Sequence, residues 1–207
     1  MTTTLGGHMR LLLATLICCV LETTLVQAQN RELGAWVAEA GVTSFQGGMK
    51  DTARLIAGPG PGAEITVRRL IPLGGLALGL AVSYQKTSWT AHIGDYFAGF
   101  RSEFTMLELA PELRLPVAGS SAGTALIVHA GPTYQGWLFD TSWRGRLGAT
   151  AGATLATPLG QRLDLQVRGE VTTTASWVND QETSAEIGKE RMSRWRWSLG
   201  LGWHRPR

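Results

Sequence analysis

Three things are scarce in this sequence, and each scarcity excludes something. There are 2 cysteines, Cys18 and Cys19, and both fall within the first 28 residues. Residues 29–207 therefore cannot lean on disulfides, as small secreted domains often do. Charged residues make up 17% of the chain, against about 25% in ordinary soluble domains. The net charge is only +3, with basic and acidic residues interleaved, so no nucleic-acid partner is expected. After residue 28 no apolar run approaches the 18 or so residues that a spanning helix needs, which excludes a helical membrane protein.

The residues that are plentiful are equally informative. Hydrophobic residues reach 44%, enough to build a core and to exclude disorder. Glycine accounts for 26 of 207 residues and tryptophan for 8; the glycines keep no three-residue period, which excludes collagen. The length suits one domain.

The first segment reads as an address. Met9-Arg10 precedes an apolar run from Leu11 to Leu21, and Val26-Gln27-Ala28 places small residues at −3 and −1. Charge, short apolar stretch and small-residue site together predict a secretory signal peptide over residues 1–28, cleaved after Ala28. The run is too short to anchor in a bilayer. Residues 29–207 form the mature chain.

That chain alternates with period two, the signature of strands with two different faces. Over residues 76–86, Leu76, Leu78, Leu80, Val82 and Tyr84 oppose Ala77, Gly79, Ala81, Ser83 and Gln85. In the last strand Trp195, Trp197, Leu199, Leu201 and Trp203 oppose Arg194, Arg196, Ser198, Gly200 and Gly202. The pattern recurs near 33–45, 63–72, 102–115, 124–138, 143–157 and 162–177, predicting eight strands. Most are longer than the 5–6 residues usual in globular proteins and match the 9–11 of a tilted strand crossing a bilayer. Connections at 72–75, 116–123 and 158–161 are compact and rich in turn residues, whereas 46–62, 90–101 and 178–192 are long. Short turns on one side and long loops on the other are the arrangement of a membrane barrel. Trp89, Trp137, Trp143, Trp177 and Trp195 fall at strand ends on the long-loop side, with Phe45 and Phe104 nearby, and Trp36 and Trp203 fall at the opposite end. Two such belts are expected where strands leave lipid. Pro111 and Pro132 lie inside proposed strands, so each is expected to mark a bulge or register break. Arg69 falls on the apolar face beside a turn, within snorkelling reach of the interface.

From Leu33 to Trp203 the chain resembles the small eight-stranded bacterial outer-membrane β-barrel family. The likeness rests on alternation, loop lengths, the leader and an aromatic-rich last strand. It implies an all-β, antiparallel up-and-down transmembrane barrel in the outer membrane, a monomer among lipid and lipopolysaccharide, inserted by the barrel-assembly machinery. Family members usually end on an aromatic residue that this machinery reads; here Trp203 is followed by His204-Arg205-Pro206-Arg207.

Eight strands leave an interior that side chains fill, which argues against an open pore. The faces expected to point inward carry Glu39, Glu108, Glu112, Asp164 and Glu170 with Arg68, Arg114, Arg144, Arg146, Arg168, Arg194 and Arg196. Buried unpaired, any of them would be costly, so an ion-paired network is expected. Glu39, Glu108, Arg146, Arg168 and Glu170 sit mid-strand at its predicted centre, with Glu112 beside them. The predicted role is structural, or one of surface contact through the outward loops. Two alternatives stay open. One is a lipid A-modifying enzyme of the deacylase or acyltransferase type. The deacylase pattern places His and Ser two apart, and His129-Ala130-Gly131 has Gly at the second position; His92 lies in a loop near Ser88 and Asp95. The other is a secreted lipocalin-like barrel, with the faces inverted around a ligand. No catalytic residue, metal ligand or cofactor motif is predicted.

Overall fold

The alternation of large apolar with small or polar residues gives each segment one face for lipid and one for a crowded interior. The backbone accordingly runs extended through nearly the whole described chain. The structure, a computed structural model, describes residues 35–46, 49–51, 55–93, 96–119, 123–139, 142–175, 187–189 and 191–204. The predicted signal peptide and Trp177 lie outside these residues, as do the side chains of Trp89 and His92.

Eleven strands form among the described residues: β1 Trp36–Gln46, β2 Met49–Asp51, β3 Leu55–Pro59, β4 Gly62–Leu73, β5 Leu76–Ile93, β6 Tyr96–Gly119, β7 Ala125–Phe139, β8 Ser142–Pro158, β9 Leu163–Thr174, β10 Ile187–Lys189 and β11 Met192–Trp203. Eight of them close a barrel in the cyclic order β1-β4-β5-β6-β7-β8-β9-β11, each antiparallel to its neighbours. First and last strands meet over their whole length, from Trp36 opposite Trp203 to Gln46 opposite Ser193. Closure leaves no sheet edge within the barrel, which is what lets strands sit in hydrocarbon.

The turns reflect their residues. Between β4 and β5 the chain reverses in two residues, and Gly74 takes φ of 60°, the left-handed region that glycine enters without steric cost. The long connections are more ordered than their composition suggests. β5 and β6 stay paired from Thr90 opposite Gly99 to Ile93 opposite Tyr96, within a segment expected to be loop. β3 takes over from β4 as the neighbour of β5, pairing Pro59 with Trp89 and Leu55 with Ile93. β2 and β10 extend this sheet.

The prolines behave differently from expectation. Neither carries a bulge; the register shifts lie between Ser88 and Trp89 and between Pro116 and Ala118. Leu109 pairs with Tyr134 and Leu113 with Ala130, so the β6–β7 ladder is interrupted once without a change of register. Pro111 and Pro132 stand opposite each other in that gap, while Leu80–Pro111 and Pro132–Ala149 pair normally on the outer sides. Two residues without an N–H thus share one break instead of making two.

The faces are assigned unambiguously. Val42, Ile65, Val67, Leu78, Leu80, Val82, Leu107, Leu109, Leu113, Val167, Leu199 and Leu201 are exposed on the outside. The inside is charged and polar. This overturns the lipocalin-like alternative, whose inside would be apolar and outside polar.

Candidate functional site: a charge-balanced barrel interior

The inward strand positions form three layers stacked along the barrel axis. The middle layer is ionic. Among the described residues, five carboxylates, Glu39, Glu64, Glu108, Glu112 and Glu170, face five guanidiniums, Arg68, Arg114, Arg168, Arg194 and Arg196, all buried. One connected path runs through them. Arg68 pairs with Glu39 and, at 3.0 Å, with Glu112. Arg114 also reaches Glu112 at 3.0 Å. Arg168 bridges Glu112 and Glu170. Glu170 accepts from Arg196 at 2.8 Å, and Arg196 pairs with Glu64. Arg194 completes the path, 3.2 Å from Glu64 and 2.7 Å from Glu108. Neutral donors fill remaining lone pairs: Gln135 on Glu108 at 2.7 Å, Ser198 on Glu39 at 3.2 Å and Thr66 on Glu64 at 2.9 Å. Equal numbers of opposite charges with shared hydrogen bonds are what make such burial tolerable.

Glycines give these long side chains somewhere to lie. A Cβ on Gly200 would stand 2.5 Å from Glu39 Cγ, and one on Gly79 would stand 2.7 Å from Glu112 Cγ. On Gly152 it would meet His129 Nε2 at 2.6 Å. His129 therefore lies across β8 towards Glu170 on β9, with Nε2 3.4 Å from its carboxylate.

Apolar layers seal both ends. On the long-loop side Phe104, Met106, Trp137 and Met192 pack together with Phe45 against them. Phe45 and Phe104 ring centroids lie 5.7 and 5.3 Å from that of Trp137. Met106 Sδ accepts from Arg194 at 3.8 Å, joining lid to network. On the short-turn side Ala35, Val37 and Leu70 form a floor. Below it Asp164 meets His204 at 2.5 Å, and the His204 amide donates to the Arg162 carbonyl at 2.9 Å.

The predicted site residues sort accordingly. Glu39, Glu108, Glu112, Arg168 and Glu170 come together in the ionic layer. Arg146, opposite Gln135 in the β7–β8 ladder, is only half-buried and donates to the Gly145 carbonyl at 2.8 Å. β8 is inward-facing at even positions, so the side is as expected, but the burial is less than that of the ionic layer. Glu64 is a member that the sequence reading missed, although its alternation with Ile65 and Val67 carries the same signal as in the other strands. Among the tryptophans, Trp36, Trp143, Trp195 and Trp203 are exposed near strand ends. Trp137 corrects the expectation of a belt residue. It is 0% exposed and forms the lid, because it shares the parity of His129, Thr133 and Gln135, not that of Tyr134. Phe45 and Phe104 likewise turn inward. Arg69, outside, stacks its guanidinium 5.1 Å above the Trp36 ring, a cation–π contact that occupies its charge at the interface.

Chemically, ligand atoms of Glu112, His129 and Glu170 lie within 4.8 Å of one another, the spacing of a metal site. Arg168 already bridges both carboxylates, so the cation of this cluster is a guanidinium. His129 sits among ion pairs, away from either rim.

No protein-family model matches the sequence, and no curated protein matches it. Solved structures do. The outer membrane protein OprG from Pseudomonas aeruginosa aligns with TM-score 0.58 at 11% identity, over 86% of this chain and 99% of that one. Neisserial surface protein A aligns with TM-score 0.47 at 12% identity, over 82% and 98%. Closed topology, apolar exterior and OprG-like backbone agree: the chain is an eight-stranded transmembrane β-barrel with the fold of the small outer-membrane barrel proteins.

Proposed function

We propose that the protein is an integral protein of a bacterial outer membrane, exported by a cleaved signal peptide over residues 1–28, whose barrel does not conduct. The filled interior carries this reading. A hydrated path along the axis would have to cross five arginines held by five carboxylates, then the lid around Trp137, or the floor at Leu70. Separating any of these pairs leaves a buried charge uncompensated. The work of the protein is then done at its surface. On the long-loop side β5 and β6 rise past the barrel, and β3, β2 and β10 widen them into a sheet. This platform suits a structural or contact role at the cell surface. The barrel acts as a monomer, surrounded by membrane lipid and lipopolysaccharide, after insertion by the assembly machinery.

The test pairs two measurements on protein purified from membranes after expression of the full chain. Gel mobility before and after boiling reports a heat-modifiable barrel, and planar-bilayer recording reports conduction. A mobility shift with no stepwise current is expected. Discrete, reproducible channel openings would overturn the non-conducting reading. Solubility without detergent would overturn the membrane reading.

A further inference from the structure

The lipid-facing surface is not uniformly convex. Across β8, β9 and β11 the large residues give way to Ala151, Ala153 and Gly169, leaving an open groove of about 390 Å³. Its walls are mostly apolar, with Leu155 and Val167 at the lower end and Trp195 and Trp197 along the side, and Gly152 and Glu170 also border it. The Trp197 ring overhangs Gly169, where a Cβ would meet it at 2.7 Å. From Leu155 to Ala151 the groove runs four residues, about 13 Å at ~3.3 Å per residue.

The groove spans the middle of the wall, from Trp195 and Val171 on its long-loop side to Leu126 and Leu155 on the side of the short-turn rim. Two residues below Leu155 and Leu126, Thr157 and Thr124 join hydroxyls at 3.1 Å on the exposed surface. Four residues below Leu155 the β8–β9 turn begins, and there a second, shallow hollow is lined by Leu159, Gln161 and Arg162. Arg162 is exposed in that turn. β8 and β9 therefore carry an apolar slot on their lipid-facing side and an exposed cation in the short turn that joins them.

We propose that this surface binds one anionic phospholipid of the leaflet on the short-turn side. An acyl chain fills the slot over Ala151, Ala153 and Gly169, and the phosphate meets Arg162. Its position within the membrane band makes lipid the neighbour of the groove. The overhanging Trp197 and the missing side chains make this one place on the wall where a chain is held in a shape instead of sliding over a row of leucines. In hydrocarbon no hydrophobic drive favours one apolar surface over another, so close packing over small residues supplies the selectivity. The inference rests on the membrane reading, which the gel mobility shift scores separately in every variant.

The probe is 1-palmitoyl-2-oleoyl-phosphatidylglycerol, followed by native mass spectrometry of the purified protein as detergent is raised. One phosphatidylglycerol should stay bound after the others are stripped. Filling the slot with Ala151→Leu/Ala153→Leu should lower its retention at least ten-fold while the mobility shift persists. Arg162→Gln should lower it several-fold, and Val82→Leu, on another part of the wall, should leave it unchanged. Equal retention in wild type and the filled variant would overturn the proposal. So would an Ala153→Cys protein, whose thiol is the only one after residue 28, if oxidation in vesicles links it into dimers. A second copy of the chain would then cover the groove.

Discussion

Replacing Glu170 with alanine tests the ionic layer at its most connected point. Glu170 touches Arg168 at 2.5 Å, Arg196 at 2.8 Å and Arg194 at 3.7 Å, with His129 at 3.4 Å. Without it five guanidiniums would face four carboxylates. A unit-charge pair at ~4 Å is worth about 4 kcal/mol at an effective dielectric of 20, so two lost close pairs bound the gross effect near ~8 kcal/mol. The carboxylate's own desolvation disappears with it, and the net cost of breaking a buried pair is about 3–5 kcal/mol. The partner charge distinguishes electrostatics from packing. Removing Arg168 as well restores a four-to-four balance, so the double variant should be about 2 kcal/mol less destabilised than the sum of the singles, within the range seen for coupled neighbours. Urea unfolding in lipid vesicles, followed by tryptophan fluorescence, measures all three variants. Lys86→Ala, which breaks only the exposed pair with Glu103, serves as the control and should change stability by under ~1 kcal/mol. The reasoning fails if Glu170→Ala costs under ~1 kcal/mol, or if the singles and the double add without coupling.

Other expectations come from the glycine seats and the outer band. Gly200→Ala would press a methyl against Glu39 and the Ala38 carbonyl oxygen, 2.5 and 2.8 Å from where it must sit. Overpacking of this kind costs about 1–3 kcal/mol, measurable as a lower urea midpoint. On the outside, Leu199→Arg in the middle of β11 should cost about 2–4 kcal/mol in vesicles, whereas Leu73→Arg beside the β4–β5 turn should cost about 0–1. Equal costs at the two positions would show that the band does not lie where the exposed apolar residues put it.

Strand identity and face are readable because both arise from local alternation. Leu76 to Tyr84 and Trp195 to Trp203 each state their lipid side in one residue out of two, and the closed barrel uses those sides. Height along the axis is a different quantity. It depends on strand tilt and register, which no single strand encodes, and this is why the expected mid-network Arg146 is found only half-buried. Trp137 shows a second kind of loss. Its parity with Gln135 points inward, but a tryptophan near a strand end suggests an interface, and there residue type outweighs phase. The lid needs Phe45, Phe104, Met106 and Met192 from three other strands, and only closure brings those strands together. Ordered strand pairs at 90–101 are hidden for a related reason: pairing to β3 comes from a segment more than thirty residues earlier.

Register also decides what the prolines do. In isolation each one reads as a defect, since a closed barrel has no edge to place it on. Register places Pro111 opposite Pro132, so the two missing donors fall in one seam and the ladders to β5 and β8 stay whole. Pro111→Ala offers the seam one N–H, worth about 0.5–1.5 kcal/mol if it finds an acceptor. It also frees the unfolded chain, which costs about 0.4–1 kcal/mol. The two effects nearly cancel, and the urea midpoint should move little. Moving the proline to an intact position, Val82→Pro, removes a donor or strains a ladder with nothing opposite to share the break, and should abolish the heat-modifiable band. If Pro111→Ala were as damaging as Val82→Pro, the facing prolines would be doing something other than sharing one interruption.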